Sequence, residues 1–86
     1  MRRIIFDEKA IGWGSEDALN RLLIKHHITY LEEKCCCRGY LYLNEIYEAL
    51  GIAWNPDDEN VCFKYPIRNR IRFESIGDSR YEIFIE

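Results

Sequence analysis

From residue 70 onward the chain carries two runs in which apolar and polar side chains alternate, and this period of two constrains the fold more than any other feature. Ile71 and Phe73 alternate with Arg70, Arg72 and Glu74, while Tyr81, Ile83 and Ile85 alternate with Glu82, Phe84 and Glu86. Gly77-Asp78 lies between them, so the two runs predict an antiparallel hairpin. A loop of those two residues alone would set Phe73 against Glu82 and place the apolar sets on opposite faces. The loop must therefore have odd length or contain a bulge. Opposite-charge pairing then selects a register with Phe73 facing Tyr81 and Ile71 facing Ile83. That register sets Glu74 against Arg80, Arg72 against Glu82 and Arg68 against Glu86, with a loop over 76–78. A slide by two residues keeps the apolar match but opposes Glu74 and Glu82, and is disfavoured on charge.

The rest of the chain predicts an α+β fold: one long N-terminal helix, one short helix and a small antiparallel sheet with a C-terminal hairpin. Residues 2–6 suit a short strand. Gly12-Trp13-Gly14 then breaks the chain before Ser15, a good N-cap followed by Glu16 and Asp17. Leu19, Leu22, Leu23, His26, Tyr30 and Leu31 recur at helical spacing, predicting a helix over 15–34 with these residues inward. Residues 35–43 hold a turn at Gly39 and an extended stretch. Asn44 is placed to cap a short helix that Gly51 ends. The stretch 54–60 combines Pro56 with Asp57, Asp58 and Glu59 and reads as a surface loop.

At 86 residues the expected organisation is one domain, 1–86, with a modest core. Twelve basic against fifteen acidic side chains give a net charge of -3, too small to select a partner. The apolar patch after Arg2 and Arg3 is cut by Asp7 and Glu8, far short of a signal segment or membrane span, so the expectation is a cytoplasmic protein of a bacterial host with no membrane partner. Cys35, Cys36 and Cys37 are consecutive and poorly placed for a disulfide framework. Together with Cys62 they read as reduced thiols packed near a helix end.

Catalytic chemistry finds no constellation. His26 and His27 are the only histidines, adjacent helical residues point about 100° apart, and no phosphate loop or nucleophile elbow is present. The thiols lack the paired spacing of zinc sites, so neither a metal nor another cofactor is expected. Two surfaces remain. Arg68, Arg70 and Arg72 form a period-two basic stripe suited to phosphates, although two of them gain glutamates in the preferred register. Trp13 and Trp54 stand outside the periodic apolar faces as candidate interface anchors. Trp54 beside Asp57, Asp58 and Glu59 suits a basic protein partner.

The string Tyr40-Leu41-Tyr42-Leu43-Asn44-Glu45-Ile46-Tyr47-Glu48-Ala49-Leu50-Gly51-Ile52 resembles the opening helix of helix-turn-helix and excisionase-like DNA-binding domains. No basic recognition helix follows it; Trp54-Asn55-Pro56 and three acids do. Extended back to Gly39, the same stretch is similar to small phage and prophage proteins of Gram-positive bacteria. That resemblance implies a mobile-element origin and no mechanism. The expected function is thus a non-enzymatic phage-type accessory protein that binds another protein, as an inhibitor of a host defence system or as an assembly subunit. The alternative is a nucleic-acid-binding regulator using the arginine-bearing hairpin. Self-association is also open, through a strand edge beginning near Val61.

Overall fold

In a computed structural model the described residues are 2–54 and 56–86. Three strands form the main sheet: β1 (Arg2–Phe6), β4 (Ile71–Gly77) and β5 (Arg80–Ile85), all antiparallel in the order β1-β5-β4. Between them in sequence come α1 (Asp17–Arg38), β2 (Tyr40–Tyr42), α2 (Leu43–Ala49), a 3-10 turn over Pro56–Asp58 and β3 (Cys62–Lys64). β2 and β3 make a separate two-stranded ladder. The fold is α+β as the patterning predicts, with one difference of order. The long helix is the first helix but not the N-terminal element, because β1 precedes it and pairs with the last strand.

The inner face of the main sheet follows from alternation. Ile4 and Phe6 of β1, Ile71 of β4, and Tyr81, Ile83 and Ile85 of β5 are buried, and β1–β5 pairing sets Ile4 against Ile83 and Phe6 against Tyr81. Ile24, Leu31 and Cys35 of α1, Leu41 of β2 and Leu43, Ile46 and Leu50 from the α2 region join the same buried cluster. Burying each such side chain is worth about 1.5–3 kcal/mol.

The hairpin register corrects the one expected from charge. Phe73 faces Ile83, Ile71 faces Ile85 and Glu74 faces Glu82, the arrangement a two-residue slide produces. A bulge between Ser75 and Gly77 restores the apolar parity, leaving Asp78 and Ser79 as the turn with φ of 53° and 61°. Positive φ at both turn residues matches the right-handed twist of the flanking strands. The charge argument failed because β5 is the central strand, so its charges have two neighbours. Glu82 takes Arg3 of β1 at 3.6 Å, Arg80 takes Glu8 at 2.9 Å, and Arg72 pairs with Glu86.

α1 also departs from expectation in range and phase. It starts at Asp17 with Glu16 in the cap position and no side-chain cap, and it continues through all three cysteines to Arg38. Gly39 stops it at φ 86°, its N–H bonded to the Cys35 carbonyl at 2.7 Å. Its buried line is Asn20, Ile24, Leu31 and Cys35, whereas Leu19, Leu22, His26 and Tyr30 face outward. Both faces carry apolar residues, so periodicity admitted two phases. Asn20 decides between them: it is buried because its amide spans the Gly14 N–H and C=O and reaches the Ser79 carbonyl at 3.0 Å.

α2 begins one residue before the expected cap. Tyr42 takes the cap position, and its N–H is accepted by the Glu45 carboxylate at 2.9 Å. Asn44 then falls inside the first turn and is buried. Gly51 follows the helix at φ 72°, as its position predicts.

Candidate functional site

The residues expected at an interface separate into structural ties and surface groups. Asp58, expected on an acidic rim, is only 4% exposed. Its carboxylate meets Arg2 at 3.0 Å and accepts from the Tyr47 hydroxyl at 3.2 Å, tying β1, α2 and the 3-10 turn together. Burial, and then the Asp58 charge, raise the Tyr47 hydroxyl above its ordinary pKa. Trp13 packs half-buried against the core and donates Nε1–H to the Ser79 carbonyl at 2.8 Å. Its indole ties the segment before α1 to the β4–β5 turn.

Trp54, Asp57 and Glu59 remain on the surface, with Trp54 60% exposed. Asn55 of the expected loop lies outside the described residues. The structure adds a neighbour that the sequence did not suggest. Ile11 is 91% exposed, fixed by its N–H on the Gly51 carbonyl at 2.9 Å, three residues before Trp54. Ala10 and Ala53, the chain neighbours of Ile11 and Trp54, line a cleft of about 410 Å³ together with Ile5, Asp7, Lys9 and Ile52. Ile5 contributes because it alternates with buried Ile4 and Phe6 on β1 and so points to the outer face of the sheet. Set between Ala10 and Gly12 and outside any helical or strand-like run, Ile11 offered no periodic signal.

The arginines do not form a strand face. Arg68 and Arg70 belong to a turn around Asn69, whose φ is 67°, and only Arg72 lies on β4. Arg70 Nε donates to the Glu86 carbonyl at 2.8 Å and Arg72 pairs with the Glu86 carboxylate. Of the three, Arg68 alone makes no hydrogen bond or ion pair among the described residues, and it borders a cleft of about 460 Å³ with Tyr65, Thr29, Glu32 and Cys36.

The cysteines divide as well. Cys35 is buried, and that burial raises its thiol pKa, whereas Cys36, Cys37 and Cys62 are exposed, contrary to a packed cluster. A helix turns about 100° per residue, so three consecutive thiols cannot share one face. Among the described residues no three His, Cys, Asp or Glu side chains converge on a point that would hold a metal ion. None of their helices is long and apolar enough to cross a membrane. Comparisons with protein-family models, with curated proteins and with solved structures return no match for this chain.

Proposed function

We propose that this protein is a non-enzymatic accessory factor of phage type that acts by binding another protein, with the Ile11–Trp54 end of the molecule as its contact surface. One observation carries the reading: Ile11 and Trp54 are both large, exposed apolar residues, and their chain neighbours Ala10 and Ala53 line one cleft. Exposed aromatic and aliphatic anchors next to pockets are the groups that dominate binding energy at interfaces. Asp57 and Glu59 on the neighbouring surface favour a partner segment that is basic as well as apolar. The likeness of residues 39–52 to phage and prophage proteins supports the mobile-element setting, in which inhibiting a host defence system or joining an assembly are the natural roles. A nucleic-acid role for the hairpin is less favoured, because two of its three arginines are engaged by Glu86.

Affinity capture from a bacterial host lysate, with mass spectrometry, tests the surface. Trp54→Ala and Ile11→Ser should each lose a protein that the parent chain and a Glu33→Ala variant, changed beside the separate Arg68 cleft, retain. Unchanged recovery by both variants would remove the assignment.

A further inference from the structure

The open edge of the main sheet lies along β4. Glu86 N–H donates to the Arg70 carbonyl at 3.0 Å, and β4 pairs with β5 so that Arg72 faces Phe84 and Glu74 faces Glu82. Hydrogen-bonded pairs alternate along an antiparallel ladder, so those two positions also bond to β5. Ile71, Phe73 and Ser75 therefore turn their N–H and C=O groups away from β5. No strand covers them in the β1-β5-β4 order. Beside this edge a groove of about 510 Å³ runs between α1 and β4, walled by Ile28, Ile71 and Phe73 with Lys25 and Thr29. The edge thus joins unpaired backbone to partly buried apolar side chains, and it has no proline to block it.

Charge on the outer face tells what fits there. Glu74 sits directly opposite Glu82, a like-charge pair that opposes folding. Arg3 answers Glu82, but Glu74 has no cation among the described residues. An added antiparallel strand should bring a positive charge to face Glu74.

We propose that β4 pairs antiparallel with β4 of a second copy of this chain, about a twofold axis at Phe73, so that Arg72 of each copy faces Glu74 of the other. Of the registers that pair the outward-turned backbone groups, a centre at Arg72 opposes two arginines and a centre at Glu74 opposes two glutamates. Only the centre at Phe73 matches opposite charges, and it also gives the longest overlap, Ile71 to Ser75 on both strands. The ladder rule then supplies about six new backbone hydrogen bonds. The bulge before Gly77 ends the pairing on both sides. Arg72 keeps Glu86 as a neighbour, since a guanidinium has donors for both carboxylates. The two three-stranded sheets become one, and the partner roofs the groove along Ile28 and Phe73. This surface lies on β4 and not near Val61, and it is independent of the Ile11–Trp54 end.

Sedimentation equilibrium across a range of concentrations tests the pairing. The parent chain should show a concentration-dependent dimer. Glu74→Arg and Arg72→Glu should each weaken it about tenfold or more, since each opposes like charges twice. Mixed in equal amounts, the two variants should form a heterodimer, because every facing pair is then opposite in sign. Circular dichroism of each variant alone checks that it is folded. A parent chain that stays monomeric, dimers that both variants keep, or a mixture that gains no dimer would each overturn the proposal.

Discussion

Trp13 and Ser79, 66 positions apart, are joined by a hydrogen bond of 2.8 Å from the indole N–H to the backbone carbonyl. The same carbonyl accepts from Asn20, whose amide also holds Gly14 at 3.0 and 2.7 Å. Ser79 returns the contact by donating its hydroxyl to the Ser15 carbonyl at 3.0 Å, and Tyr81 donates to Asp17 at 2.7 Å. The β4–β5 turn and the entry to α1 are thus one polar joint. Trp13→Phe should remove one bond and cost about 1 kcal/mol, whereas Asn20→Leu should cost about 1–3 kcal/mol by stranding the Gly14 groups. Urea unfolding of the two variants, compared at equal slope, measures the difference.

Gly51 is constrained twice. Its φ of 72° disfavours any other residue, and an added Cβ would lie 3.0 Å from the Ile11 amide nitrogen. Gly51→Ala should destabilise by about 1 kcal/mol or more. It should also displace Ile11, so partner capture should fall even under conditions in which the variant is fully folded.

The phase of α1 gives opposite expectations for neighbours in sequence. Leu22 is 64% exposed and Ile24 is fully buried. Leu22→Ser should shift stability by no more than about 0.5 kcal/mol, while Ile24→Ala should cost about 2–5 kcal/mol. Thermal unfolding of both variants distinguishes this phase from one in which Leu22 points inward.

Glu45 is the strongest acid whose shift is resolved. Its hydrogen bonds from Arg38, with support from the Tyr42 N–H and Lys34, hold its pKa down to about 2 from an ordinary 4.5. A carboxylate more acidic in the folded than in the unfolded chain adds stability that is complete above pH 4.5. That stability is lost as pH falls toward 2. Glu45→Gln should therefore lower stability at pH 7 and flatten its decline between pH 4.5 and 2, measured by urea titrations across that range.

Thiol labelling separates the cysteines by burial. Cys36, Cys37 and Cys62 should react with an aromatic disulfide reagent in the native protein, while Cys35 should wait for unfolding. Counting modified thiols by mass spectrometry before and after adding denaturant checks this; early labelling of Cys35 would contradict its placement in the core.

Local chemistry was legible where a single rule acted without competition. Gly51 ends α2, and the alternation of Tyr81, Ile83 and Ile85 gives the inner face of β5. Gly39 stops α1, but three middling helix formers before it hid how far the helix runs. Where two solutions satisfied the same rule, the deciding partner lay far away in sequence. Arg3 neutralises Glu82 from β1 and so permits the register that hairpin charges alone argued against. Asn20, a polar residue, sets the inward face of α1 because distant Ser79 offers it a carbonyl. At the candidate surface, Trp54 stood out as an aromatic among acids. Asp58 could not be told from Asp57 until Arg2 and Tyr47 were seen to close over it.

The central position of β5 shapes how the chain reaches this fold. β1 and β4 never touch as neighbours, so both edge strands wait for β5, and β1 pairs with residues almost the full chain length away. The ladders of the main sheet cannot nucleate around β1, however early it is synthesised. Assembly of the sheet is therefore a late and cooperative event, slower than the local winding of α1. A ribosome-bound chain lacking β5 would carry β1 as an unpaired apolar strand, open to chaperones and to other nascent chains until translation delivers its mate.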